Sequence, residues 1–194
     1  MLRKISGLLV NIIASNRNLD AKEKNIYEYC IRTILKRTLF VTIILILGIF
    51  TKQTSIAILF LVTFFPLRSL CGGTHAATPL LCTILSYGIS MIVLLSIPFL
   101  SKLFPYTVIF AVFFGACIPI VLFAPVDTKN KRFNIKQRKK LKIKLLLYMI
   151  LMSFVFVFFS LIQDKTYCIT VTLCVIISSV SILFGYFQNR RENK

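Results

Sequence analysis

The chain has 194 residues, is 57% hydrophobic with a mean hydropathy of +0.84, and carries a net charge of +18. A soluble domain of this size does not need so much apolar surface, and the cations sit at the ends of apolar stretches, which argues against a nucleic-acid partner. One histidine, six acidic residues and six cysteines without a Cys-x-x-Cys pair exclude a plausible metal cage. The composition is that of an all-α, polytopic membrane protein.

At the N-terminus Leu2, Ile5, Leu8, Leu9, Ile12 and Ile13 share one helical face, with Arg3, Lys4, Asn11 and Ser15 elsewhere. That spacing predicts an amphipathic helix lying in the headgroup plane. A signal peptide is the other reading, but Asn11 interrupts the apolar stretch and no small-x-small cleavage site follows. Asp20 with Glu23 three residues later is a capping-box pattern. A second helix is expected from Ala21, with Ile26, Tyr27, Cys30, Ile31, Ile34 and Leu35 on its apolar face. Residues 1–37 then form a cytoplasmic, interfacial region ahead of a membrane domain at 38–187.

Apolar stretches follow at 38–51, 54–67, 80–100, 105–126, 145–162 and 166–187, and six transmembrane helices are the simplest count. The first two are short and separated only by Thr51-Lys-Gln-Thr54, a spacing suited to a helical hairpin extended into flanking polar residues. Eight cations precede the first span, nine lie between 129 and 144, and Arg190, Arg191 and Lys194 fall in the tail at 188–194. The alternate loops hold only Lys52, Lys102 and Lys165. The positive-inside rule therefore places both termini, and the segment 68–82, in the cytoplasm.

The basic loop 127–144 includes Lys129, Lys131, Arg132, Lys136, Arg138, Lys139 and Lys140. Juxtamembrane cations of this kind attract anionic lipid at ~1 kcal/mol per charge, and an acidic peptide is the alternative partner. Only Phe133 interleaves the run, so the stacking platform of a single-strand nucleic-acid binder is missing.

The run Arg68-Ser-Leu-Cys-Gly-Gly-Thr-His75-Ala-Ala-Thr-Pro-Leu-Leu-Cys82 breaks the apolar pattern and carries the only histidine. Thr78-Pro79 reads as a helix start, with Thr at the N-cap and Pro at the first helical position. Cys82 then lies in the first turn, where unsatisfied N–H groups and the positive dipole end favour thiolate. On one continuous helix His75 and Cys82 would stand ~10.5 Å apart along the axis, too far for proton transfer. His75 is therefore expected on a separate segment that folds back, with Gly72 and Gly73 supplying the turn and N–H groups for an oxyanion. The blander reading is a lone interfacial His beside an ordinary Cys, with Arg68 snorkelling. Cys71 has three readings: a weak substitute nucleophile, a resolving thiol for an oxidised Cys82, or a packing residue.

Arg68, Gly72, Gly73, His75 and Cys82 resemble the active-site signature of the accessory gene regulator B (AgrB) family of Gram-positive bacteria. Ala124-Pro125-Val126-Asp127-Thr128-Lys129-Asn130-Lys131 looks like that family's second motif, which follows the fourth span. The basic N-terminus, the length and the span count are also similar, so the resemblance covers nearly the whole chain. It implies a cell-membrane cysteine endopeptidase acting on an AgrD-like propeptide, with no cofactor and as a homodimer. By that analogy Cys82 attacks a peptide carbonyl while His75 takes the thiol proton and later protonates the leaving amine. A thiol or hydroxyl of the propeptide then attacks the thioester and closes a thiolactone or lactone ring.

A third group to orient His75 is absent from the local motif. Asp127 is the best candidate, since the fourth span should end at the same cytoplasmic level; pairing with Lys129 or Lys131, or capping the loop, are its other roles. Two rival functions are a small-peptide exporter and a membrane anchor recruiting an acidic partner. An exporter would want ionisable groups within the spans, and none is found between the span ends apart from Asp164 and Lys165 in a loop. Neither rival accounts for Gly-Gly-x-His ahead of Cys82.

Overall fold

A computed structural model describes residues 10, 20–71, 79–126 and 134–192, in backbone only at 21–22, 79–85, 189 and 191–192. Six helices make up nearly all of this: α1 Ala21–Phe50, α2 Thr54–Cys71, α3 Pro79–Leu103, α4 Tyr106–Phe123, α5 Ile135–Leu161 and α6 Lys165–Glu192. Each is long and apolar enough to cross a bilayer, so the chain is an all-α polytopic membrane protein. The predicted interfacial helix at the N-terminus lies outside the described residues, except for helical Val10.

α1 starts where Asp20 and Glu23 predict, with the Asp20 N–H donating to Glu23 Oε2 at 3.2 Å. It then runs unbroken for 30 residues, so the elements expected at 21–37 and 38–51 are one helix. Within α1 no proline or glycine occurs before Gly48, and the Glu28–Arg32 ion pair bridges one turn, so the polar residues near 37 have no means of ending it. On the expected apolar face Ile26 and Ile34 are each 61% exposed, whereas Ile31 and Leu35 are half-buried.

The reversal at 51–53 is tight. Lys52 adopts a left-handed φ of 57°, and the Gln53 N–H donates to the Gly48 carbonyl at 2.7 Å. A Cβ at Gly48 would stand 2.6 Å from Ala57 Cβ, so glycine is what admits so close an approach.

α2 contains Pro66, which has no N–H to give to the Val62 carbonyl one turn back. The Tyr148 hydroxyl, from α5, donates to that carbonyl at 2.8 Å. Within a bilayer a freed backbone group must find such a partner, and this bond lets α2 continue past its proline. α4 stops at Phe123 because Ala124 precedes Pro125 and takes an extended ψ of 152°. α5 opens with a capping box: the Asn134 side chain accepts from the helix start and the Gln137 side chain returns to the Asn134 N–H.

α6 forms the centre, packed by α2, α3, α4 and α5. Its buried residues include Cys168, Val171, Cys174, Val175, Ser178 and Ile182. Small side chains allow close helix approach, and their polar atoms are occupied locally: Thr172 and Ser178 hydroxyls donate to carbonyls four residues back at 2.8 Å. Phe113 of α4 stacks on Phe156 of α5 with ring centroids 4.2 Å apart, filling the space beside it.

Candidate active site

The last turn of α2 is built from three directions. Behind it, Pro66 removes one helical bond, and Tyr148 of α5 supplies the replacement on the Val62 carbonyl. On its flank, the Arg68 guanidinium donates to Ser181 Oγ of α6. At its tip, the Cys71 carbonyl accepts the Val126 N–H at 3.2 Å, three residues beyond the end of α4. Leu67 and Cys71 are buried beneath this turn, as are Ala124 and Val126 beside it.

Two sequence motifs are thereby joined at residues 55 apart in the chain. Gly72 follows Cys71 directly and Asp127 follows Val126 directly. Gly72, Gly73, His75 and Asp127 themselves lie outside the described residues, as do Lys129, Lys131 and Arg132.

The predicted loop 68–82 is shorter than its expected bounds. Arg68 and Cys71 are helical, because Arg68 has a partner on α6 and no residue before Gly72 favours leaving the helix. At the far side α3 begins at Pro79, as Thr78-Pro79 predicts, making Cys82 the fourth helical residue. His75 lies in sequence between the last described residue of α2, Cys71, and the first of α3, Pro79, outside the described residues. Cys71 is 1% exposed, which fits packing among its three readings.

The basic loop expected at 127–144 is also shortened. Lys136, Arg138, Lys139 and Lys140 lie exposed on the first turns of α5, because the Asn134–Gln137 capping box starts the helix well before its apolar portion. At 27 residues α5 is ~40 Å long, longer than a ~30 Å hydrocarbon core.

Sequence reasoning missed Ser181 and Tyr148. Pro66 within an apolar stretch was the available signal for Tyr148, since a freed carbonyl in a membrane helix requires a donor. Nothing in the pattern around Ser181 marked it. A polar hollow bounded by Ser101, Tyr106, Asp164 and Lys165 lies at the opposite ends of the helices, with Lys165 Nζ 5.2 Å from the Tyr106 ring centroid.

The architecture defines a multi-pass helical membrane protein in which the end of α2 is tied to α6 through Arg68–Ser181 and to the segment after α4 through Cys71–Val126. The family profile described as Accessory gene regulator B matches residues 6–183, and the chain belongs to that family. An AgrB-like protein 2 of Clostridium perfringens (strain 13 / Type A) is 31% identical over 145 residues, 72% of this chain and 68% of the relative. An AgrB-like protein of Lactiplantibacillus plantarum is 25% identical over 198 residues, covering 100% of this chain and 96% of the relative. No solved structure matches the chain. Membership connects it to processing of the accessory gene regulator quorum-sensing peptide, with an AgrD-like propeptide as the implied partner.

Proposed function

We propose that the chain is a cysteine endopeptidase that cleaves an AgrD-like propeptide at the cytoplasmic membrane face and permits ring closure of the product. The observation that carries this reading is the start of α3 at Pro79, which puts Cys82 in the first helical turn of a member of this family. Backbone N–H groups there have no intrahelical acceptor, and they favour the thiolate over the thiol.

His75 acts as the base that removes the thiol proton and then protonates the leaving amine. Gly72 and Gly73 supply the turn and N–H donors toward the developing oxyanion. The product of the first step is a thioester between Cys82 and the new C-terminus of the propeptide. A propeptide thiol or hydroxyl held nearby attacks it with the advantage of effective molarity, giving a thiolactone or lactone. Thioester exchange between thiols is nearly isoenergetic, so exclusion of water at the interface preserves the activated bond for cyclisation.

The cations Lys129, Lys131, Arg132, Lys136, Arg138, Lys139 and Lys140 bind anionic lipid headgroups or acidic residues of the propeptide. The enzyme works as a homodimer with both termini in the cytoplasm of a Gram-positive cell. Reconstitution in liposomes with the propeptide tests the reading. Wild type is expected to release a C-terminal fragment that Cys82→Ala does not, and equal cleavage by both would return the chain to an exporter or anchor role.

A further inference from the structure

We propose that Ser181 is a positioning residue for the reaction at Cys82, acting through Arg68; the proposal rests on the endopeptidase reading above. Pro66 leaves the Val62 carbonyl without its helical donor, so the turn carrying Arg68 and Cys71 depends on attachments from other elements. Tyr148 and Val126 each hold a backbone carbonyl. Ser181 alone among these attachments holds a charged side chain.

Ser181 is well placed for that task. It is half-buried on α6, between Val180, which is 50% exposed, and Ile182, which is fully buried. α2, α3, α4 and α5 all pack against α6, so its backbone has little freedom to follow a moving partner. A guanidinium is a planar fork of five donors, so fixing one N–H on Ser181 Oγ sets the directions of the others. Arg68 precedes Gly72 by four residues, so this fixed cation sits at the root of the segment bearing His75. In the proposed reaction negative charge develops on the Cys82 sulfur and then on the carbonyl oxygen. A cation already oriented needs no reorganisation when that charge appears.

Ser181→Thr keeps the hydroxyl, whereas Ser181→Val has nearly the same shape without it. In liposomes with the propeptide, Ser181→Val is expected to lower kcat about tenfold with KM little changed, and Ser181→Thr to recover most of the loss. In an Arg68→Ala background, Ser181→Val is expected to cost nothing further. Equal rates for the Thr and Val variants, or an undiminished Val effect without Arg68, would overturn the proposal. Cys82→Ala run alongside separates the two readings: if it cleaves like wild type, the endopeptidase assignment fails, whereas a dead Cys82→Ala beside fully active Ser181→Val rejects Ser181 alone.

Discussion

The Val126 N–H donates to the Cys71 carbonyl at 3.2 Å, linking the exit of α2 to the segment after α4. Residues 55 apart in the chain thus fix where the His75 segment departs and where the Asp127 segment departs. In the proposed mechanism Asp127 is the candidate group to orient His75, and this bond joins the described residues from which the two segments depart. If Asp127 orients His75, Asp127→Asn lowers the cleavage rate at least tenfold while leaving folding intact, by loss of the charge that holds the base. A smaller loss, measured on protein of wild-type thermal stability, would remove Asp127 from the mechanism.

Pro66 and Tyr148 form a matched pair. Tyr148→Phe leaves the Val62 carbonyl without its donor and is expected to cost about 1–3 kcal/mol of stability. Pro66→Ala restores the helical N–H, so the same Tyr148→Phe change should cost much less in that background. Thermal unfolding of the four proteins in one detergent measures the coupling, and additive losses would show that the two residues act independently.

The α1–α2 reversal depends on Gly48, whose place for a Cβ is 2.6 Å from Ala57 Cβ. Gly48→Leu should force the helices apart and destabilise the protein by about 1–3 kcal/mol or more. Ala57→Gly opens space at the same contact and is expected to recover part of that loss, which unfolding measurements on single and double variants can read.

Cys71 and Cys82 differ in position, Cys71 ending α2 and Cys82 lying in the first turn of α3. Cys71 is 1% exposed beneath the end of α2, so a water-soluble maleimide should leave it unmodified in the native protein. Cys71→Ala should retain cleavage, whereas Cys82→Ser should lose it. Abolition of cleavage by Cys71→Ala in a folded protein would reassign the nucleophile.

The spans were legible because twenty or so apolar residues between polar clusters leave few alternatives in a bilayer. Pro79 and Asp20 marked helix starts through local chemistry that depends only on neighbours. Helix ends were harder. The stretch ending near 67 continues to Cys71 because Arg68 has a partner on α6, and α5 starts at Ile135 because of a capping box ahead of its apolar portion. The residues of the candidate site were recognisable as a motif, but the Arg68–Ser181 bond spans 113 positions and no local periodicity encodes it. Likewise, the polar residues after Arg37 suggested a boundary that an uninterrupted helix does not observe.

The central claim is that Cys82 carries the propeptide as a thioester. Rapid acid quenching of wild type with propeptide, followed by proteolysis and mass spectrometry, tests it most directly. The account predicts an adduct on the Cys82 peptide that neutral hydroxylamine removes and that Cys82→Ala does not form. An adduct on another cysteine, or cleavage by Cys82→Ala at the wild-type rate, would contradict it.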